Sequence, residues 1–149
     1  MKKRSLFKIL PIFLLMVSCG GPAKTIVSAS ISVPFDLLVV ESYDAQLTLS
    51  DPVEGTVLQG PIVLEKDETT NLWNILLEDI DEQDFLAEVE IIVPGTDGNL
   101  VIASATREIL VPKGAPYATL TFKPSDFDTG MDDNADGVTN LDEITGGVP

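Results

Sequence analysis

The stretch FLAEVEIIV, Phe85 to Val93, limits the fold more than any other part of the chain. Phe85, Ala87, Val89, Ile91 and Val93 fall on one side of a period-two pattern, and Glu88 and Glu90 on the other. Successive side chains of a strand point to opposite faces, so this is the signature of a strand with one buried and one wetted side. The rhythm returns in TIVSASISV, AQLTLS, TVLQGPIVL and LVIASATREILV. In YATLTF, Ala118, Leu120 and Phe122 oppose Tyr117, Thr119 and Thr121. PGTDGN and KGAP separate these runs, as glycine and proline do between antiparallel strands.

NLWNILLEDIDEQDF fits two readings: a short helix with Leu72, Ile75, Leu76 and Ile80 on one face, or a strand over Leu72–Glu78. The alternating neighbours and the connection-like DIDEQD favour the strand. Short strands with turn signals between them predict an all-β fold, a single antiparallel β-sandwich. From about residue 25 to 123 the pattern resembles the immunoglobulin-like and fibronectin type III-like sandwiches of bacterial surface proteins. It lacks the paired core cysteines of antibody domains. Trp73, with no second aromatic spaced to form a sugar platform, is expected in the core. Glu88 and Glu90 are expected to be solvated on an outer face.

A length of 149 residues suits one domain, and an apolar fraction of 44% suffices for a packed core. The formal charge of −15 hides an asymmetry. Lys2, Lys3, Arg4 and Lys8 are four of nine basic residues, and no acid precedes Asp36. Without the N-terminal segment, five basic residues face 24 acidic ones, a net charge of −19. Such a surface repels nucleic acid, whose phosphates need clustered Lys and Arg, and it repels anionic lipid. Histidine is absent, which removes the commonest general base and the usual imidazole ligands of zinc and copper.

The N-terminus, MKKRSLFKILPIFLLMVSCGGP, runs from basic residues into nine residues without charge, Ile9 to Val17, and then into small residues. That is the layout of an export signal and too short for a membrane-spanning helix. Leu15-Met16-Val17-Ser18 followed by Cys19, the sole cysteine, resembles the lipobox of bacterial lipoproteins, with Met16 where Leu is usual. The resemblance implies cleavage before Cys19 and acylation of that residue; the other reading is an ordinary signal peptide with an incidental cysteine. Gly20 in place of Asp resembles outer-membrane sorting in Gram-negative cells. The expected organisation is a signal over 1–18, a lipid-anchored tether over 19–24, a sandwich over 25–124 and an acidic tail over 125–149. Gly20 to Lys24 spans at most about 17 Å, at roughly 3.3–3.6 Å per residue, so the domain is expected to stay near the membrane.

DDNADGVTNLDE, Asp132 to Glu143, is where the tail can carry chemistry. A calcium loop places oxygen ligands at positions 1, 3, 5 and 12 and glycine at 6. Asp132, Asn134, Asp136 and Glu143 fill the first four and Gly137 the turn; Val138 would give its backbone carbonyl, and Asn140 its side chain, directly or through water. Hard oxygen donors select Ca²⁺ over transition metals. The stretch resembles a solitary EF-hand-like loop, and more closely the Asp-rich loops of thrombospondin type 3-like repeats, with dockerin loops as cousins. No helix pattern precedes it, and Thr139 stands where paired EF-hands place an apolar residue. The competing reading is a solvated acidic tail.

Together these features predict a membrane-anchored extracytoplasmic lipoprotein, tethered through N-terminal acyl chains, non-catalytic, with a protein or glycan partner in the cell envelope. Two other classes stay open: a small hydrolase or glycan-active enzyme, which needs a cleft with a buried carboxylate, and an envelope-complex assembly factor, which needs an exposed apolar patch.

Overall fold

The computed structural model describes residues 21, 23–95 and 98–146. Cys19 and the 1–18 segment lie outside the described residues. Eight strands form two four-stranded sheets. They are β1 (Lys24–Ile31), β2 (Asp44–Ser50), β3 (Val57–Val63), β4 (Glu65–Asp67), β5 (Leu72–Asp81), β6 (Phe85–Gly95), β7 (Gly98–Ile109) and β8 (Tyr117–Phe122), followed by a short helix α1 (Asn140–Thr145). One sheet has the order β4-β5-β1-β8, the other β3-β2-β6-β7. The expected all-β sandwich is what forms.

Alternation in the sequence becomes burial. Phe85, Ala87, Val89 and Ile91 of β6 are fully buried, as are Ala45, Leu47 and Leu49 of β2. Both β6 and β2 present these faces to the other sheet, where Val27, Ala29, Ile31, Trp73, Leu120 and Phe122 close the same core. A register shift between β6 and β7 at Ile91/Ile92 gives β7 one extra residue, with Ile92 opposite Val101 and Ile91 opposite Ala103. Both Ile102 and Ala103 are thereby buried in succession, which strict alternation would not allow. The ambiguous segment is strand β5, and Trp73 is buried against Tyr43, their ring centroids 5.9 Å apart.

One pairing departs from the expected antiparallel arrangement. Five ladders are antiparallel, but β8 lies parallel to β1, from Ile26 opposite Tyr117 to Ile31 opposite Phe122. No tight turn can join parallel neighbours. The partners are far apart in sequence, and the pairing is set by the core positions that β8 fills.

Gly60 in β3 is fixed by backbone contact. Its φ is +108°, and a Cβ there would meet the Leu47 carbonyl oxygen at 2.6 Å and Thr48 Cα at 3.0 Å. Neither obstacle is a flexible side chain. Gly60→Ala should therefore lower stability by about 2–4 kcal/mol, combining backbone strain with overpacking. Urea denaturation measures this, and a loss under about 0.5 kcal/mol would contradict it.

The acidic tail is packed onto the sandwich. Asp128 and Ser104 exchange backbone hydrogen bonds of 3.0 and 2.8 Å, which pairs the tail with the free edge of β7. Leu141 of α1 joins the core, and Phe127 packs against it. Arg107 fastens the approach by donating to the Thr121 carbonyl at 2.7 Å and to Asp126 Oδ2 at 2.8 Å.

Candidate metal centre

The stretch Asp132–Glu143 forms a compact turn followed by the first residues of α1. Two positive-φ residues bend it, Ala135 at 58° and Gly137 at 90°. Gly137 supplies the sharp turn that its place in the motif requires. Side-chain oxygens then collect the backbone N–H groups that the bend exposes. Asp132 Oδ2 accepts from Gly137 at 2.9 Å, Asn134 Oδ1 from Asp136 at 3.0 Å, and Asp136 Oδ1 from Val138 at 2.9 Å. Thr139 caps α1 by accepting from the Asp142 N–H at 3.1 Å, and Gly146 ends the helix in the left-handed conformation.

Three of the predicted ligands are linked through one amide. Asn134 Nδ2 donates to Glu143 Oε1 at 2.9 Å and to Asp136 Oδ2 at 3.3 Å, so an amide N–H bridges two carboxylates nine and two residues away. Asp132 contributes the oddest atom: its Oδ1 is buried and has no hydrogen-bond partner. A buried carboxylate oxygen left unpaired carries a desolvation cost that a cation would offset. Among the described residues, no three His, Cys, Asp or Glu side chains alone gather tightly enough to hold a metal. Asp132, Asp136 and Glu143 offer carboxylate oxygens, the hard donors calcium prefers, while Asn134 turns Nδ2 toward two of them and its Oδ1 to the Asp136 N–H. Val138 is half-buried at the expected place on the loop, with its N–H committed to Asp136.

Asn140 is placed differently from the expectation. It is 2% exposed. Its Oδ1 accepts from the Asp133 N–H at 3.0 Å, its Nδ2 donates to the Val101 carbonyl of β7 at 2.7 Å, and its own N–H donates to the Met131 carbonyl. The amide is committed to the sheet edge and the loop backbone, and it acts as a strut between them. Asn140→Ala should leave the Val101 carbonyl and the Asp133 N–H unpaired, at a cost of about 1–3 kcal/mol in chemical denaturation. A loss below about 0.5 kcal/mol would contradict the strut.

No family model, curated protein or solved structure matches this chain. What the loop can do follows from its own donors.

Other polar features belong to turns and surfaces. Backbone N–H groups of Glu54 and Val53 hold the Asp51 carboxyl below the usual range, and those of Thr69 and Thr70 do the same for Asp67. Downward displacement marks a fixed turn anion, the opposite of a general acid kept protonated. Burial raises the Tyr43 phenol. Glu88 is exposed, and Glu90 accepts from Gln46 Nε2 at 2.7 Å across the β2–β6 ladder.

Proposed function

We propose that this chain is a lipoprotein of the bacterial cell envelope, held at the outer membrane by acyl chains on Cys19. Its sandwich serves as a non-catalytic binding or structural module, and its C-terminal loop binds calcium. The observations that support the calcium reading are the bend at Gly137, the Asn134 amide that links Asp136 and Glu143, and the buried, unpaired Oδ1 of Asp132 on the same loop. These four side chains and the Val138 carbonyl would hold the ion. Bound calcium supplies positive charge among carboxylates that otherwise repel one another. The absence of histidine and the outward placement of Glu88 support the non-catalytic reading.

A solitary loop belongs with weak extracellular calcium modules, so the dissociation constant should be about 10⁻⁴–10⁻³ M. Calorimetric titration of the full chain should give that value, with amide shifts centred on Gly137. Asp132→Ala and Glu143→Ala should each weaken binding about tenfold or more, since each removes a charged ligand. If millimolar calcium leaves Gly137 and its neighbours unshifted, the loop is an acidic surface turn and the calcium reading fails.

A further inference from the structure

The connection between β1 and β2 places large apolar side chains in solvent. Its 3-10 helix, Phe35–Val39, buries Leu37 completely yet leaves Phe35 78%, Leu38 55% and Val39 70% exposed. Residues three apart eclipse one another in a 3-10 turn, so Phe35 and Leu38 share one side. Val39 continues the crest into an open cleft of about 570 Å³ that it lines with Val93 and Ile144, and a second cleft links it to Leu141. Single exposed apolar residues are ordinary on a protein surface, but a contiguous group of this kind marks a contact site.

Among the described residues, the rim of this surface is mainly acidic, with Lys66 its one base, beside Glu41, Asp44 and Glu68 in a further cleft that Leu38 lines. Asp36 and Asp142 line one of the first two clefts and Glu41 the other, and no lysine or arginine lines either. The crest also lies at the far end of β1 from the tether. β1 itself contributes eight residues to that separation, roughly 26 Å at about 3.3 Å per residue. Acidic side chains and this distance both argue against the crest dipping into the membrane that holds the chain.

We propose that Phe35, Leu38, Val39 and the adjoining cleft dock a segment of another protein that presents apolar side chains flanked by lysine or arginine. The apolar groups would fill the crest and cleft, and the basic groups would meet Asp36, Glu41 and Asp142. Such complementarity sets partner choice and encounter rate.

The test uses the full chain, with Cys19→Ser to keep acyl chains off, and a synthetic peptide of alternating leucine and lysine as probe. A leucine–glutamate peptide is the counterpart. The first peptide should shift amides of residues 35–42 and 141–145, and the second should not. The triple variant Phe35→Ser, Leu38→Ser, Val39→Ser keeps the charge and, because those side chains are exposed, the melting temperature. It should bind the basic peptide about tenfold more weakly. Equal binding by the variant would reduce the interaction to bulk charge and overturn the proposal. It is likewise overturned if the crest amides respond to lipid vesicles, to dilution of the protein itself, or to removal of residues 1–18, in place of the peptide.

Discussion

Cys19→Ser should move the protein from the membrane pellet to the soluble fraction and abolish acyl labelling. Each buried methylene of an acyl chain contributes about 0.8 kcal/mol to membrane attachment, and one chain alone holds a protein only marginally. Two or three chains make the hold stable, so losing all of them is close to an all-or-none change. Among the described residues, no helix is long and apolar enough to cross a membrane. Their net charge is strongly negative, which opposes association with anionic headgroups. Fractionation of wild type and variant from the same cells measures the effect. An unchanged pellet with undiminished acyl label would remove the anchor from the account.

Phe122→Ala should cost about 3–5 kcal/mol, a large part of the roughly 5–15 kcal/mol that holds a domain folded. Phe122 is 1% exposed and closes the core from β8. It also carries the junction with the tail: its ring lies 6.3 Å from Phe127, and the Arg107 guanidinium sits 5.5 Å above it. Truncation leaves a cavity and loosens both contacts, so Asp126 and Asp128 should lose amide protection together with β8. Tyr117, at the exposed start of the same strand, is the control, because Tyr117→Ala should change stability by no more than about 0.5 kcal/mol. Similar losses for the two variants in urea denaturation would show that β8 is not a core strand.

How far the sequence reveals this molecule depends on whether a feature is local. Alternation in Phe85–Val93 and Tyr117–Phe122 directly reports the buried faces of β6 and β8, because side-chain direction in a strand is a property of neighbouring residues. The same holds for the 72–81 segment once its neighbours are read as strands. The parallel pairing of β8 with β1 is not local: nothing within YATLTF distinguishes a parallel from an antiparallel neighbour. The bend at Gly137 could be read from the spacing of the loop, because the motif puts glycine where the chain must turn sharply. Asn140 could not. An asparagine in an acidic stretch reads as a ligand, and only the docking of the tail on Val101 turns its amide toward the sheet. The exposed crest at Phe35–Val39 is likewise invisible in sequence, where FDLLV looks like any buried apolar run.

The place of β1 has a mechanical consequence. It is an interior strand, bonded along its length to β5 on one side, from Lys24 opposite Asp81 to Ile31 opposite Trp73, and to β8 on the other. A pull from the N-terminal side, as the proposed anchor would exert, enters at Lys24 and runs along the strand axis. If the far pole is held, both ladders are loaded in shear, many hydrogen bonds sharing the force at once, where an edge strand pulled sideways would yield them one at a time. A chain anchored through Cys19 as proposed, and gripped at the far pole, would thus resist extraction through β1.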